Sequence, residues 1–189
     1  MILFINACVR RESRTERLAR RLLSNLGGPV EEVRLNEIAF PPVDREFLAR
    51  RDALIGSGCF GDELFGLARQ FARADEIIIA APYWDLSFPA SLKQYIEQIN
   101  VVGVTFRYTD AGVPEGLCCA KRLTYITTAG GEFLPLDYGF GYIEALSRDF
   151  YGIKDVRLVK AGGLDIDGAD VEAIMSAALR EIDGLISDA

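Results

Sequence analysis

Ser13-Arg14-Thr15-Glu16, with Arg10 and Arg11 just before it, opens an amphipathic stretch carrying Leu18, Leu22 and Leu26. Two hydroxyls, exposed backbone amides and the positive end of a helix together hold a phosphate, and neighbouring guanidiniums add charge. The same residues also spell a capping box, in which Ser13 and Glu16 serve the helix's own amides and the glutamate repels an anion. Charge placement favours the anion: residues 1–21 carry six arginines and two glutamates, a local +4, while the other 168 residues carry −11 of the chain's net −7.

A second segment, Pro82-Tyr83-Trp84-Asp85-Leu86-Ser87-Phe88-Pro89, sets three aromatics between two prolines. Stiff backbone and flat apolar surface suit a planar conjugated ligand, although Trp84 covering a sheet edge and Asp85 capping a turn account for the same residues. The third, Thr127-Thr128-Ala129-Gly130-Gly131-Glu132-Phe133, ends in paired glycines that admit either a close ligand or an ordinary turn.

Cys8, five residues, Arg14 and Thr15 match the Cys-x5-Arg-Ser/Thr pattern of phosphotyrosine phosphatases. The intervening Val9-Arg10-Arg11-Glu12-Ser13 holds no glycine and sets a carboxylate inside the loop, which opposes a thiolate cradle. The chain has no histidine, which excludes histidine-bound zinc, Ser-His-Asp and Cys-His nucleophiles, and imidazole acid/base work. Cys8, Cys59, Cys118 and Cys119 show no Cys-x-x-Cys spacing, and the opening reads as a strand instead of a signal segment, so a reducing, cytoplasmic setting is expected. The acidic balance disfavours nucleic acid or an anionic membrane as partner.

These segments need elements to position them. Short apolar runs alternate with amphipathic stretches, the pattern of a parallel sheet with helices on both faces. Strands are predicted at 2–7, 30–35, 76–82, 122–128 and 155–161, in one domain spanning 1–189. Helical stripes are expected at Leu18, Leu22 and Leu26, at Leu92, Ile96 and Ile99, and at Val171, Ile174, Ala178, Ile182 and Ile186. Two further helical pieces, 45–53 and 62–72, flank a glycine-rich loop at 56–61, and the period-two run at 105–109 leads into Asp110-Ala111-Gly112 as a small hairpin. A five-stranded doubly wound sheet of order 2-1-3-4-5 opens its crevice beyond the carboxyl ends of strands one and three. The three segments meet there.

With those residues in view, the chain resembles the FMN-dependent NADH-azoreductases and NAD(P)H:quinone reductases, which have a flavodoxin-like fold. Residues 6–15 look like that family's phosphate loop, ending in Ser13 and Thr15. The run from Pro82 to Lys93 resembles its Pro-Met-Tyr-Asn-Phe-Ser/Asn-x-Pro-x-x-Leu-Lys flavin loop, and Thr128-Ala129-Gly130-Gly131 its Thr/Ser-x-Gly-Gly segment. Phe150-Tyr151-Gly152-Ile153-Lys154-Asp155-Val156 is similar to its lead into the last strand.

The resemblance implies bound FMN, NADH or NADPH as co-substrate, a homodimer, and ping-pong hydride transfer through flavin N5 to a quinone, an azo compound or a similar flat acceptor. It places Arg10, Ser13, Arg14 and Thr15 at the phosphate, Pro82, Tyr83, Trp84, Asp85 and Leu86 at the ring, Thr128, Ala129, Gly130 and Gly131 at the ring edge, and Phe106 and Phe133 at the acceptor. No protein base or metal is required, and protons come from solvent or from Tyr83 or Tyr138. The chain departs from the family at Ala7, at Tyr83-Trp84-Asp85 and at Phe133. An ionised Asp85 beside the ring is expected to lower its potential. A one-electron carrier of flavodoxin type is the alternative class; the first loop lacks the carrier's Thr-x-Thr-Gly-x-Thr pattern.

Overall fold

The computed structural model describes residues 1–187. Five parallel strands form the central sheet: β1 (Ile2–Asn6), β2 (Val30–Arg34), β3 (Glu76–Ala80), β6 (Arg122–Thr128) and β7 (Asp155–Ala161). Their spatial order is β2-β1-β3-β6-β7. This is the expected order, with β4 (Phe106–Tyr108) and β5 (Pro114–Gly116) forming the expected antiparallel hairpin apart from the sheet.

The inner strands β1 and β3 are apolar over most of their length and buried on both faces, as parallel strands beneath two helical layers must be. Alternate residues go to opposite layers. Leu3, Ile5, Ile77, Ile79, Leu123 and Tyr125 share a core with α3 (Gly66–Arg73), α4 (Ala90–Ile99) and α5 (Phe140–Ala145). Ile2, Phe4, Ile78, Ile126 and Val159 face α1 (Arg14–Asn25) and α6 (Val171–Ser187), which meet over that side of the sheet. In α6 the stripe residues Ala178 and Ile182 are buried, whereas the side chain of Ile186 lies outside the described residues.

Three predicted strands end slightly earlier than expected: β2 gives way at Leu35 to a 3₁₀ turn, Leu35–Glu37, and β1 and β3 each end for a reason found in the residues just beyond. Past β1, the Ala7 amide still donates to the Ala80 carbonyl (2.9 Å). Past β3, the Ala81 amide reaches Ile126 O (3.0 Å), Pro82 has no N–H to offer, and pairing resumes where Tyr83 donates to Thr128 O (3.0 Å). Pro82 thus interrupts the ladder and turns the next segment out of the sheet.

The helical piece expected at 62–72 begins as a 3₁₀ turn, Glu63–Phe65, capped by Asp62, before α3. The piece at 45–53 extends to Gly56 as α2 (Arg45–Gly56), which buries none of its residues. Sequence periodicity did not show α5, whose six residues run into a π turn, Leu146–Phe150. Too short to display a stripe, it is held by tertiary contact, with Phe140 tilted against Tyr125 of β6 at 6.0 Å and Ile143 buried in the core. Among the described residues no helix is long and apolar enough to cross a membrane.

The hairpin docks on the chain just after that π turn. A Cβ on Gly116 would stand 2.1 Å from the Tyr151 carbonyl carbon and 2.2 Å from the Gly152 nitrogen, both backbone atoms with little freedom to yield. Gly116→Ala is therefore expected to destabilise the protein by about 2–3 kcal/mol through overpacking, moving the urea midpoint down by roughly 1 M at unchanged slope. An unmoved midpoint would show that the hairpin is not seated as described.

Candidate functional site

After β1 the chain crosses to the α1 side of the sheet, and after β3 to the α4 side. Neighbouring strand ends therefore send their loops apart. Between them lies a cavity of about 350 Å³, within the size range of small-molecule sites. The first loop contributes Arg10, Ser13, Arg14 and Thr15, the second Pro82, Tyr83 and Trp84, and the third Thr128, Ala129 and Gly130, all of them expected site residues.

At one end stands the start of α1. Ser13 is its N-cap, accepting from the Glu16 amide (3.2 Å), which is half of the capping box. The other half is absent: Glu16 is drawn away to Arg20 and Arg34 at 2.8 and 2.9 Å. Burial pushes its carboxyl upward, but these two guanidiniums outweigh that and hold it below its ordinary value. Its charge is compensated, so it does not oppose an anion at the helix end. The amides of Arg14 and Thr15 find no acceptor among the described residues, which leaves the positive pole of α1 open to the cavity.

Thr15 Oγ1 and Thr128 Oγ1 lie 2.7 Å apart, both buried. One donates to the other, and the accepting hydroxyl keeps its own proton for a third partner. This contact joins the first loop to the third.

At the other end, Trp84 and Ser87 exchange backbone hydrogen bonds (3.1 and 2.8 Å) around Asp85 and Leu86, whose φ angles are 50° and 68°. Such a two-residue turn ordinarily takes Asn-Gly or Asp-Gly; a leucine here costs roughly 1–2 kcal/mol. The strained turn is tied down by Tyr83 Oη donating to Pro135 O (3.1 Å) and Ser87 Oγ donating to Tyr138 O (2.7 Å). Partial burial raises the Tyr83 phenol above its ordinary pKa. Trp84 remains 40% exposed at the cavity mouth.

Five expected residues stand elsewhere. Asp85 and Leu86 form the tip of the turn, and Gly131 O receives the Gly163 amide (2.9 Å), so none of the three lines the cavity. Phe133 projects outward at 80% exposure. Phe106 turns into the hairpin, against Phe150 (4.9 Å) and Tyr108 (5.5 Å), and does not line this cavity. Period-two alternation identified the strand but not which face was buried.

Sequence reasoning missed Val9, Glu12, Leu164 and Asp165, which complete the lining. Asp165 accepts from Arg14 Nη1 at 2.7 Å across 151 residues of sequence. Its loop pairs with the third one, the Leu164 and Asp165 amides donating to Ala129 O (3.2 Å) and Gly130 O (2.9 Å). The available signal was Gly162-Gly163-Leu164-Asp165 leaving the last strand at the same sheet edge.

Cys8 does not line the cavity. It is buried, its Sγ set against Ala80 O (3.7 Å), and burial pushes the thiol up to about 11. At neutral pH it is protonated and cannot serve as a phosphatase nucleophile.

Fold and site together define a doubly wound α/β protein whose crevice presents an open helix N-terminus at one end and a braced aromatic turn at the other. A family model described as flavodoxin-like fold matches residues 1–186, and the chain belongs to that family. The FMN-dependent NADH:quinone oxidoreductase of Coprothermobacter proteolyticus is 43% identical over 121 residues, covering 61% of this chain and 59% of that protein. The match thus spans about three fifths of the relative's length. The crystal structure of azoreductase AzrA superposes over 100% of this chain and 99% of that one, with a TM-score of 0.83 and 25% identity. An FMN-dependent NADH-azoreductase from Bacillus anthracis str. Ames Ancestor, solved in complex with FMN, has a TM-score of 0.82 at 22% identity, over 99% and 97% of the two chains.

At pH 7.5 iodoacetamide is expected to label the exposed Cys59 and Cys119 and leave Cys8 unmodified, because a thiol whose folded pKa is raised to about 11 stays neutral throughout that range. Peptide mass spectrometry of the native protein reads this out; rapid labelling of Cys8 would restore the nucleophile.

Proposed function

We propose that this chain is an FMN-dependent NAD(P)H oxidoreductase that delivers electrons to a quinone, an azo compound or a similar flat acceptor. The observation that carries this reading is the pairing, in one cavity, of the open α1 terminus with the Trp84 turn.

The donor set fits the tail and the flat part of FMN. The free amides of Arg14 and Thr15, the hydroxyl of Ser13, the one of the paired Thr15 and Thr128 hydroxyls that keeps its proton, and Arg10 would hold the phosphate. Trp84, Tyr83 and Pro82 would offer a face to the ring, and Gly130 a close approach from the other loop. Held by these residues, FMN would supply two-electron hydride chemistry between NAD(P)H and the acceptor in a ping-pong order. The protein's part is to bind and orient. Its neutral phenol at Tyr83 can donate a hydrogen bond but does not act as a base near pH 7.

Trp84, Leu86, Phe133 and Tyr138 are exposed around the second and third loops. So much apolar surface beside a site supports a homodimer in which a second copy covers the mouth. A one-electron carrier would also bind FMN, and the nicotinamide donor separates the two readings.

Added FMN is expected to bind with a shifted flavin spectrum and to bleach on stopped-flow mixing with NADH or NADPH. Ser13→Ala combined with Thr15→Ala should weaken FMN binding by roughly tenfold or more, the worth of losing charge-assisted hydrogen bonds. A bound flavin that stays yellow in excess NADH and NADPH would overturn the reductase in favour of the carrier.

A further inference from the structure

The charge of the cavity differs from that of the segment that built it. Residues 1–21 carry a local +4, yet four of their six arginines are met by acids from elsewhere: Arg14 by Asp165, Arg17 by Glu172, Arg20 by Glu32 and Arg21 by Asp183. Within the cavity wall Arg10 and Arg14 stand against Glu12 and Asp165, so the lining has no net charge.

Asp165 is the more consequential of these acids because of where it sits. Its amide is fixed to Gly130 O (2.9 Å), and a Cβ on Gly130 would stand 2.4 Å from Asp165 Oδ2. The carboxylate therefore lies over a glycine of the ring-edge loop while holding Arg14, whose guanidinium lines the same cavity. Arg14 and Asp165 keep 39% and 62% side-chain exposure, so water screens the pair and its partners can separate.

We propose that Asp165 is the residue that sets this cavity's selectivity among flavins, its carboxylate standing on Arg14 where a ligand phosphate would stand. The proposal rests on the flavin reading above. An arriving phosphate must share Arg14 with Asp165 or displace that carboxylate into water, and in either arrangement two anions face each other near one guanidinium. What attracts the phosphate is then the α1 terminus, equivalent to about half a unit charge, with Arg10 and the loop hydroxyls beside it. Asp165 accordingly narrows the preference of the cavity for phosphorylated over unphosphorylated flavins and lets the two exchange. Riboflavin is a ligand in its own right.

Calorimetric or fluorescence titration of FMN and riboflavin, at low ionic strength, tests this on the wild-type protein, Asp165→Asn, Arg14→Gln and the double variant. The two flavins are expected within about tenfold of each other in the wild type. Asp165→Asn should tighten FMN by about five- to tenfold, leave riboflavin unchanged, and lose that gain in high salt. Arg14→Gln should cost FMN little alone and much more in the Asp165→Asn background, a coupling the double-mutant cycle reads directly. Asp165→Ala checks that the gain comes from removing charge and not from the asparagine.

A wild type preferring FMN by a hundredfold or more, or an Asp165→Asn that weakens FMN, would overturn the proposal and leave the flavin reading intact. In the latter case Asp165 would be positioning Arg14 for the phosphate. Binding of neither flavin would remove both.

Discussion

Everything at this site depends on the point where the winding of the sheet reverses. β1 and β3 are hydrogen-bonded neighbours, yet the chain leaves them toward opposite helical layers. No connection can fill the space between loops that part in this way, so a cavity exists before any side chain is chosen. The chain then sets a polar helix start on one side of the opening and an aromatic turn on the other. Both are braced from β6, through Thr15 to Thr128 and through the Tyr83 amide to Thr128 O. One residue at the end of one strand thus fixes the distance between the two halves of the site.

Charge is handled with similar economy. Glu16 lies within the first turn of α1, where a free carboxylate would compete with any anion. Arg20 and Arg34 draw it toward β2, and Glu32 balances them, closing a ring of two acids and two bases behind the helix end. Asn6, fully buried at the end of β1, links this ring to the first loop by donating to Glu32 Oε1 (3.0 Å) and accepting from the Cys8 amide (3.0 Å). The helix's positive pole is left facing the cavity with its amides free, a product of packing across three elements.

How much of this the sequence disclosed depends on the range of each interaction. The five strands, their order and the three loops were legible because parallel strands buried on both faces read as apolar runs, and because Ser13, Pro82 and the glycine pair at 130–131 mark their positions locally. Phe106 and α5 were not. Their burial is decided by partners such as Phe150 and Tyr125, which no local period announces. Asp165 was hidden for the same reason, since it meets Arg14 across 151 residues. The turn at Asp85-Leu86 was hidden differently: its positive φ angles call for glycine, and the chain supplies an aspartate and a leucine there.

That exception bears on function. A non-glycine pair in the left-handed region persists only where the surroundings hold it, and here they do so with hydrogen bonds from Tyr83 and Ser87 to the 135–138 segment. Beside this strained turn Trp84 stays 40% exposed at the mouth. The cavity wall meanwhile contains no histidine, and the nearby Cys8 thiol, pushed up to about 11, stays protonated at neutral pH. A wall of dipoles, hydroxyls, balanced charges and a propped aromatic suits holding a reactive ligand in place better than doing proton chemistry on one. On the function proposed above, the outcome rests on which flat molecules the cavity admits, and a few groups around the reversal point shape that opening.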